Sequence, residues 1–269
     1  MSAAPTGTPT YTVAPVQGRA VARAANGWEC PECAGAGVVR RVGEGGYPVV
    51  GPCGCRAFSR RMELFNRAGV PALFGDSRLD TFAPRTDSQG DGWKAARELV
   101  RSYPLERRGL VLLGPVGVGK THLAAAIVRE LTLEKGVPCL FCDFVQLLHD
   151  LKATYERREG SAALLEPLAR VEVLVIDDLG KGRGTDWELD VLDDLVSRRY
   201  NADTTTVATT NHLDREMDSR ERRSGFVADT LAQRVGTRIQ SRLHGMCEFY
   251  EMDGEDFRRS RRVRRGSRR

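Results

Sequence analysis

Apolar positions along the chain fall into two rhythms. Strand-length segments rich in apolar and β-branched residues occur at Gly109 to Leu113, Val137 to Phe141, Val171 to Ile176 and Thr204 to Thr209, the pattern of strands buried on both faces. Between them, apolar residues recur every three or four positions in Trp93 to Ser102, Thr121 to Lys135, Phe144 to Arg157, Ala162 to Ala169, Glu188 to Arg199 and Asp229 to Leu243, which is helical spacing. Met246 to Met252 closes the series as a last strand. Alternating strand and helix predicts an α/β fold with a parallel sheet flanked by helices. No internal repeat is visible.

Ahead of Trp93 both rhythms fade. Residues 1–27 are rich in Ala, Pro, Thr and Gly and read as a disordered leader, 28–60 as a cysteine- and glycine-rich segment, and 61–92 as a linker; a helical-looking stretch follows the cysteines after Arg56, then a loop with Pro71, Pro84 and a Gly90-Asp91-Gly92 turn. The main domain is expected over 93–257, with a basic tail over 258–269. A chain of 269 residues can bury a core without disulfides. Its net charge of +5 is more than accounted for by the arginines of the tail, which either grip a polyanion or are simply solvated. With no membrane-length apolar run and no secretory leader pattern, a cytoplasmic location is expected. The seven cysteines are then reduced, either metal ligands or core residues. Cys139, Cys142 and Cys247 sit in apolar contexts and read as core.

The segment Gly114-Pro115-Val116-Gly117-Val118-Gly119-Lys120-Thr121 ends a strand and opens a helix. Glycines there permit a tight loop of backbone N–H groups around the phosphates of ATP; Lys120 reaches the β- and γ-phosphates and the Thr121 hydroxyl sits on Mg²⁺. The buried run Val171 to Ile176 ends in Asp177-Asp178, at the strand ends where α/β folds bind ligands. Asp177 is expected to hold Mg²⁺ through water, and Asp178 to orient or deprotonate the water that attacks the γ-phosphate.

Cys30-Pro31-Glu32-Cys33 and Cys53-Gly54-Cys55 supply two close thiolate pairs, enough for a structural Zn²⁺ site in place of a core that so short a segment cannot build.

These motifs resemble the DnaC/IstB-type AAA+ ATPases, a family of helicase loaders and transposition helpers, from Phe74 to Arg258. The likeness rests on the phosphate loop, on Val175-Ile176-Asp177-Asp178-Leu179-Gly180 and on Arg198-Arg199-Tyr200 before the next strand. It implies that Asn211, closing Thr209-Thr210-Asn211, is the first sensor of the γ-phosphate. It implies too that Arg242 in Ser241-Arg242-Leu243 is an arginine finger completing a neighbouring subunit's site in a homo-oligomer. Arg258 in Gly254-Glu255-Asp256-Phe257-Arg258 is either the second sensor or the first tail residue, because Asp256-Phe257 replaces the more usual Ser-Tyr. Arg234 and Arg238 read as a solvated or DNA-facing stripe beside the apolar stripe Leu231, Val235, Ile239 and Leu243. Phe144, Leu147, Leu148, Leu151 and Tyr155, with Lys152, Arg157 and Arg158, form either a pore element touching single-stranded DNA or plain core with a basic flank. A similar cysteine arrangement precedes the ATPase in some DnaI-like and phage-type loaders.

The function so implied is an ATP-dependent replication factor that binds single-stranded DNA and delivers or remodels a replicative helicase. The alternatives are an IstB-like transposition helper, a small-molecule phosphotransferase, and a nucleotide-dependent regulator without hydrolysis.

Overall fold

The computed structural model describes residues 9–156, 162–182, 184–215 and 229–258. Strands β1 (Tyr11–Val16) and β2 (Arg19–Ala24) form an antiparallel hairpin that turns through Gln17 and Gly18, at φ of 46° and 79°. The leader is therefore ordered over this part, contrary to the expectation from its composition. Ala20 and Ala22 alternate inward and are buried, and the Asn66 side chain pairs with the backbone of Ala22 through both its oxygen (2.7 Å) and its amide nitrogen (3.1 Å). The low hydrophobicity of alanine hid this strand from the sequence pattern.

A second hairpin, β3 (Val38–Val42) with β4 (Pro48–Pro52), lies between the two cysteine pairs, and Cys55 itself opens α1 (Cys55–Ala68). This helix runs past the expected boundary at residue 60. The stretch 61–92 is not a loose linker: Phe65, Val70, Leu79 and Phe82 are buried in the same core as the sheet. Helix α2 (Asp87–Ser102) starts at Asp87 rather than Trp93, because Thr86 caps it by accepting from Gln89 N at 3.2 Å. The expected Gly90-Asp91-Gly92 turn lies inside that helix. A side chain at Gly92 would meet Met252 Sδ at 3.1 Å, so glycine there answers to packing rather than to a turn.

The main sheet contains β5 (Gly109–Leu113), β6 (Cys139–Asp143), β7 (Val173–Asp177), β8 (Thr205–Thr210) and β9 (Cys247–Glu251), all parallel, in the order β6-β7-β8-β5-β9. The intervening helices are α3 (Lys120–Leu133), α4 (Phe144–Glu156), α5 (Ala162–Arg170), α6 (Asp186–Asn201), α7 (Leu231–Val235) and α8 (Thr237–Met246). Successive strand residues face opposite sides. Leu110, Leu112, Val173, Val175 and Val207 join the core under α1, α2 and α3, whereas Val111, Leu113, Leu174, Ile176 and Ala208 join that under α4 to α8. This is an α/β AAA+ fold. No helix among the described residues is long and apolar enough to cross a membrane.

The last helix of the sequence reading is two helices, broken at Gly236, whose φ of 83° and ψ of 150° are not helical. Its apolar stripe survives the break, and Leu231, Val235, Ile239 and Leu243 are all buried. On α4, Phe144, Leu147, Leu148 and Leu151 are core residues, while Lys152 pairs with Glu188 at 3.4 Å and lies over the Trp187 ring. The side chain of Tyr155, together with Arg157, Arg158 and residues 259–269 of the tail, lies outside the described residues.

Candidate nucleotide site and cysteine cluster

Strand β8 lies between β5 and β7, so the C-terminal ends of three adjacent strands deliver the phosphate loop, Asn211 and the acidic pair to one edge. The loop from Gly114 to Gly119 links β5 to the N-terminus of α3. At Gly114 a Cβ would stand 1.9 Å from Met252 O, and at Gly117, where φ is 83°, it would stand 1.9 Å from Asp256 Oδ1. Both positions thus require glycine for space, as well as for backbone freedom. Val118 is buried and Val116 is exposed at the rim, and Pro115 turns the loop.

Lys120 is buried. Its ammonium donates to Gly114 O (2.7 Å), Pro115 O (2.8 Å) and Asn211 Oδ1 (2.9 Å). Burial pushes it down to about 8, against the pull of Asp178 and Asp177. Thr121 Oγ1 donates to Asp177 Oδ1 at 3.0 Å, and Thr209 Oγ1 donates to the same oxygen at 2.5 Å. Burial raises the Asp177 carboxyl, while those two hydroxyls oppose the rise. Thr209 also accepts from Asp178 N at 3.1 Å. Asp178 holds a left-handed φ of 58° and pairs through Oδ2 with Lys181 Nζ at 2.5 Å.

The closing motif is docked on the loop. Phe257 N donates to Gly117 O at 3.0 Å, the Phe257 ring lies 6.5 Å from that of Phe82, and the Arg85 guanidinium stands 4.0 Å over it. Phe82 in turn occupies the space beside Gly119. Arg258 is near enough to Lys120 to oppose its charge, and its N–H donates to Asp256 Oδ1 at 2.9 Å. Arg242 is not brought to this crevice. It pairs with Asp193 of α6 at 2.6 Å, and Arg238 reaches the same carboxylate at 3.6 Å. Arg234, expected on a solvated stripe, instead bonds backbone carbonyls of the loop after Asp178.

The residues present fit ATP and Mg²⁺. The loop leaves no side chain inside its turn, an ammonium stands in it, and Thr121 and Asp177 offer hard oxygen donors beside each other. Sequence reasoning missed Thr209, Lys181, Phe82 and Asp256. Lys181 meets Asp178 across one local turn, three residues on, whereas Thr209, Phe82 and Asp256 act through tertiary contacts that no spacing rule encodes.

At the N-terminal end of α1, the Sγ atoms of Cys30, Cys33, Cys53 and Cys55 all lie within 4.8 Å of one another. Cys30 and Cys53 are 3.6 Å apart, and Cys33 and Cys55 3.4 Å. A tetrahedron of Zn–S bonds of about 2.3 Å has edges of about 3.8 Å, so four thiolates so placed fit Zn²⁺. The Cys33 thiol is held down to about 7: burial pushes it up, but the Gly37 N–H and the neighbouring thiols outweigh that. Cys139, Cys142 and Cys247 are buried core residues, and burial raises the pKa of each.

Fold and site together define an AAA+ ATP-binding domain. The chain belongs to the family of IstB-like ATP binding proteins, which it matches over residues 94–265. It is 29% identical to the uncharacterized protein YqaM of Bacillus subtilis (strain 168) over 212 residues, covering 74% of this chain and 61% of YqaM. It is 30% identical to the replicative helicase loader DnaC of Escherichia coli (strain K12) over 160 residues, covering 59% of this chain and 64% of that protein. The chain thus spans under two thirds of the length of both relatives. A crystal structure of the DnaC helicase loader superposes with a TM-score of 0.56 at 29% identity, covering 67% of this chain and 99% of the other.

Proposed function

We propose that this protein is a helicase-loader-type ATPase that binds ATP and single-stranded DNA and delivers or remodels a replicative helicase. The observation that carries the reading is the convergence of Lys120, Thr121, Asp177, Asp178 and Asn211 at the ends of three neighbouring strands, in a chain similar to DnaC over its ATPase region.

In this reading the loop from Gly114 to Gly119 and Lys120 hold the phosphates, while Thr121 and Asp177 hold Mg²⁺. The metal, when bound, neutralises charge on the phosphate oxygens. Asp178 aims or deprotonates the attacking water, a role for which it must exchange its pairing with Lys181. Asn211 senses the γ-phosphate through the bond it shares with Lys120. Arg242 exchanges Asp193 for the crevice of a neighbouring subunit, so hydrolysis depends on assembly. Arg258 is near enough to Lys120 to oppose its charge, which favours the sensor role over that of a first tail residue. The four cysteines hold Zn²⁺ as a structural staple at the start of α1.

The test is capture of the Asp178→Asn protein from nuclease-treated native lysate with and without ATP. A replicative helicase recovered stoichiometrically and only with ATP supports loading. Recovery of a transposase instead supports the transposition helper, and recovery of neither removes the loader claim.

A further inference from the structure

The backbone that carries Asp178 has no regular structure to satisfy it. Beyond β7 it runs through Asp178, at φ of 58°, and Gly180, at φ of 83°. On one side β8 supplies the partners. Asp178 N and Leu179 N donate to Thr209 Oγ1 (3.1 Å) and Thr209 O (2.8 Å), and Thr210 Oγ1 donates to Leu179 O (2.8 Å). Further along, the carbonyls of Gly180 and Gly182 both meet one side chain. Arg234 of α7 donates from Nε to Gly180 O at 3.0 Å and from Nη2 to Gly182 O. Its third nitrogen, Nη1, lies 3.6 Å from Asp229 Oδ2. The approach is close on both flanks: a Cβ at Gly180 would stand 3.3 Å from Arg234 Cβ and 3.2 Å from His212 Cδ2. With its side chain 22% exposed, Arg234 is a brace and not part of a solvated stripe.

We propose that Arg234 is a positioning residue for ATP hydrolysis, bracing the loop that carries Asp178 and its partner Lys181 by reading two carbonyls with one guanidinium. The proposal rests on the reading of Asp178 given above. A planar fork satisfies two acceptors in fixed directions at once, which a lysine ammonium on a flexible stem does not reproduce. Lys120, Thr121 and Asp177 stand on α3 and β7, outside the braced loop. Loosening the loop therefore moves Asp178 relative to the attacking water and leaves the nucleotide grip in place, so the loss falls on turnover. Displacement of a reacting group by about an ångström costs on the order of 10- to 100-fold in rate.

Arg234→Lys and Arg234→Met in the full chain test this, the first keeping charge and stem, the second keeping bulk. Three quantities are compared with wild type: kcat for ATP, the Kd for ATP, and hydrogen exchange of the amides of residues 179–182. We expect kcat to fall by about 10-fold or more in both variants, Kd to stay within about twofold, and the amides to exchange at least about 10-fold faster. Unchanged kcat overturns the proposal, as does a loss of affinity that matches the loss of rate, or unchanged exchange. Lys120→Ala is the control. If wild-type turnover does not depend on Lys120, the ATPase reading itself fails, whereas Lys120-dependent turnover with normal Arg234 variants sinks the brace alone.

Discussion

Lys120 Nζ donates to Asn211 Oδ1 at 2.9 Å, a bond that ties the phosphate loop after β5 to the end of β8. The same ammonium also bonds Gly114 O and Pro115 O, so in the proposed site phosphate oxygens would compete with these three acceptors and would release the Asn211 side chain. Burial lowers this lysine to about 8 from an ordinary 10.5. It carries its charge at pH 7 and loses it as the pH rises through about 8. The affinity for ATP is expected to be level near neutrality and to weaken above about pH 8, measured as Kd against pH. Lys120→Arg, which stays charged, removes the inflection. The unfolded chain binds the extra proton between about 8 and 10.5, so this group makes stability rise with pH across that window.

Asp178→Asn keeps shape and removes the proposed base. Turnover is expected to fall by about 10²- to 10⁴-fold, the usual share of a general base, with ATP affinity within about twofold of wild type. A parallel loss of affinity in a binding titration would show that Asp178 grips the nucleotide instead.

Arg242 and Lys120 belong to different half-sites if the arginine acts on a neighbour. Arg242→Ala and Lys120→Ala are each expected to abolish turnover alone and to restore part of it when mixed, because a mixed assembly contains intact crevices facing intact arginines. Steady-state assays at several mixing ratios check this, and no recovery at any ratio removes the trans role.

The cysteine cluster is expected to hold one Zn²⁺ per chain, read by metal analysis. Cys33→Ser, or removal of zinc by a chelator, is expected to lower Tm by on the order of 5–10 °C. Because Cys55 opens α1 and that helix joins the core at Phe65, the loss is expected to reach the ATPase domain. An unchanged Tm would mean that the thiols are unliganded.

Arg199 is fully buried, with Nε on Thr206 Oγ1 (2.9 Å), Nη1 on Leu168 O (2.8 Å) and Val171 O (2.9 Å), and Nη2 on Thr205 O (2.6 Å). Burial brings its pKa down to about 10. Removing the guanidinium strands three carbonyls on two segments, the end of α5 and β8. Arg199→Met is expected to destabilise by about 3–5 kcal/mol in denaturant unfolding, and Arg199→Lys to restore little of it, since an ammonium cannot span the same acceptors.

The strand and helix alternation of the sheet, the glycine-rich loop, the acidic pair and the two cysteine pairs were legible in the order of residues alone. Each is a local pattern: runs and periods follow from burial of one face or two, glycines from a tight turn between strand and helix, and close cysteine pairs from the short spacers that keep their thiols together. Local patterns fell silent where partners lie far apart in the chain. The β1–β2 hairpin fully buries only two alanines and half-buries Tyr11 and Val13, so its burial left a weak hydrophobic signature. The broken last helix depended on one glycine whose backbone angles neighbouring packing selects. Arg234, spaced like a surface residue, became a brace only because α7 is laid against the loop after β7. Asp256 met Gly117 only because β9 returns beside β5. Spacing fixes which residues share an element, while the crossing of elements decides which of them touch, and long-range contacts of that kind form only when the whole core closes.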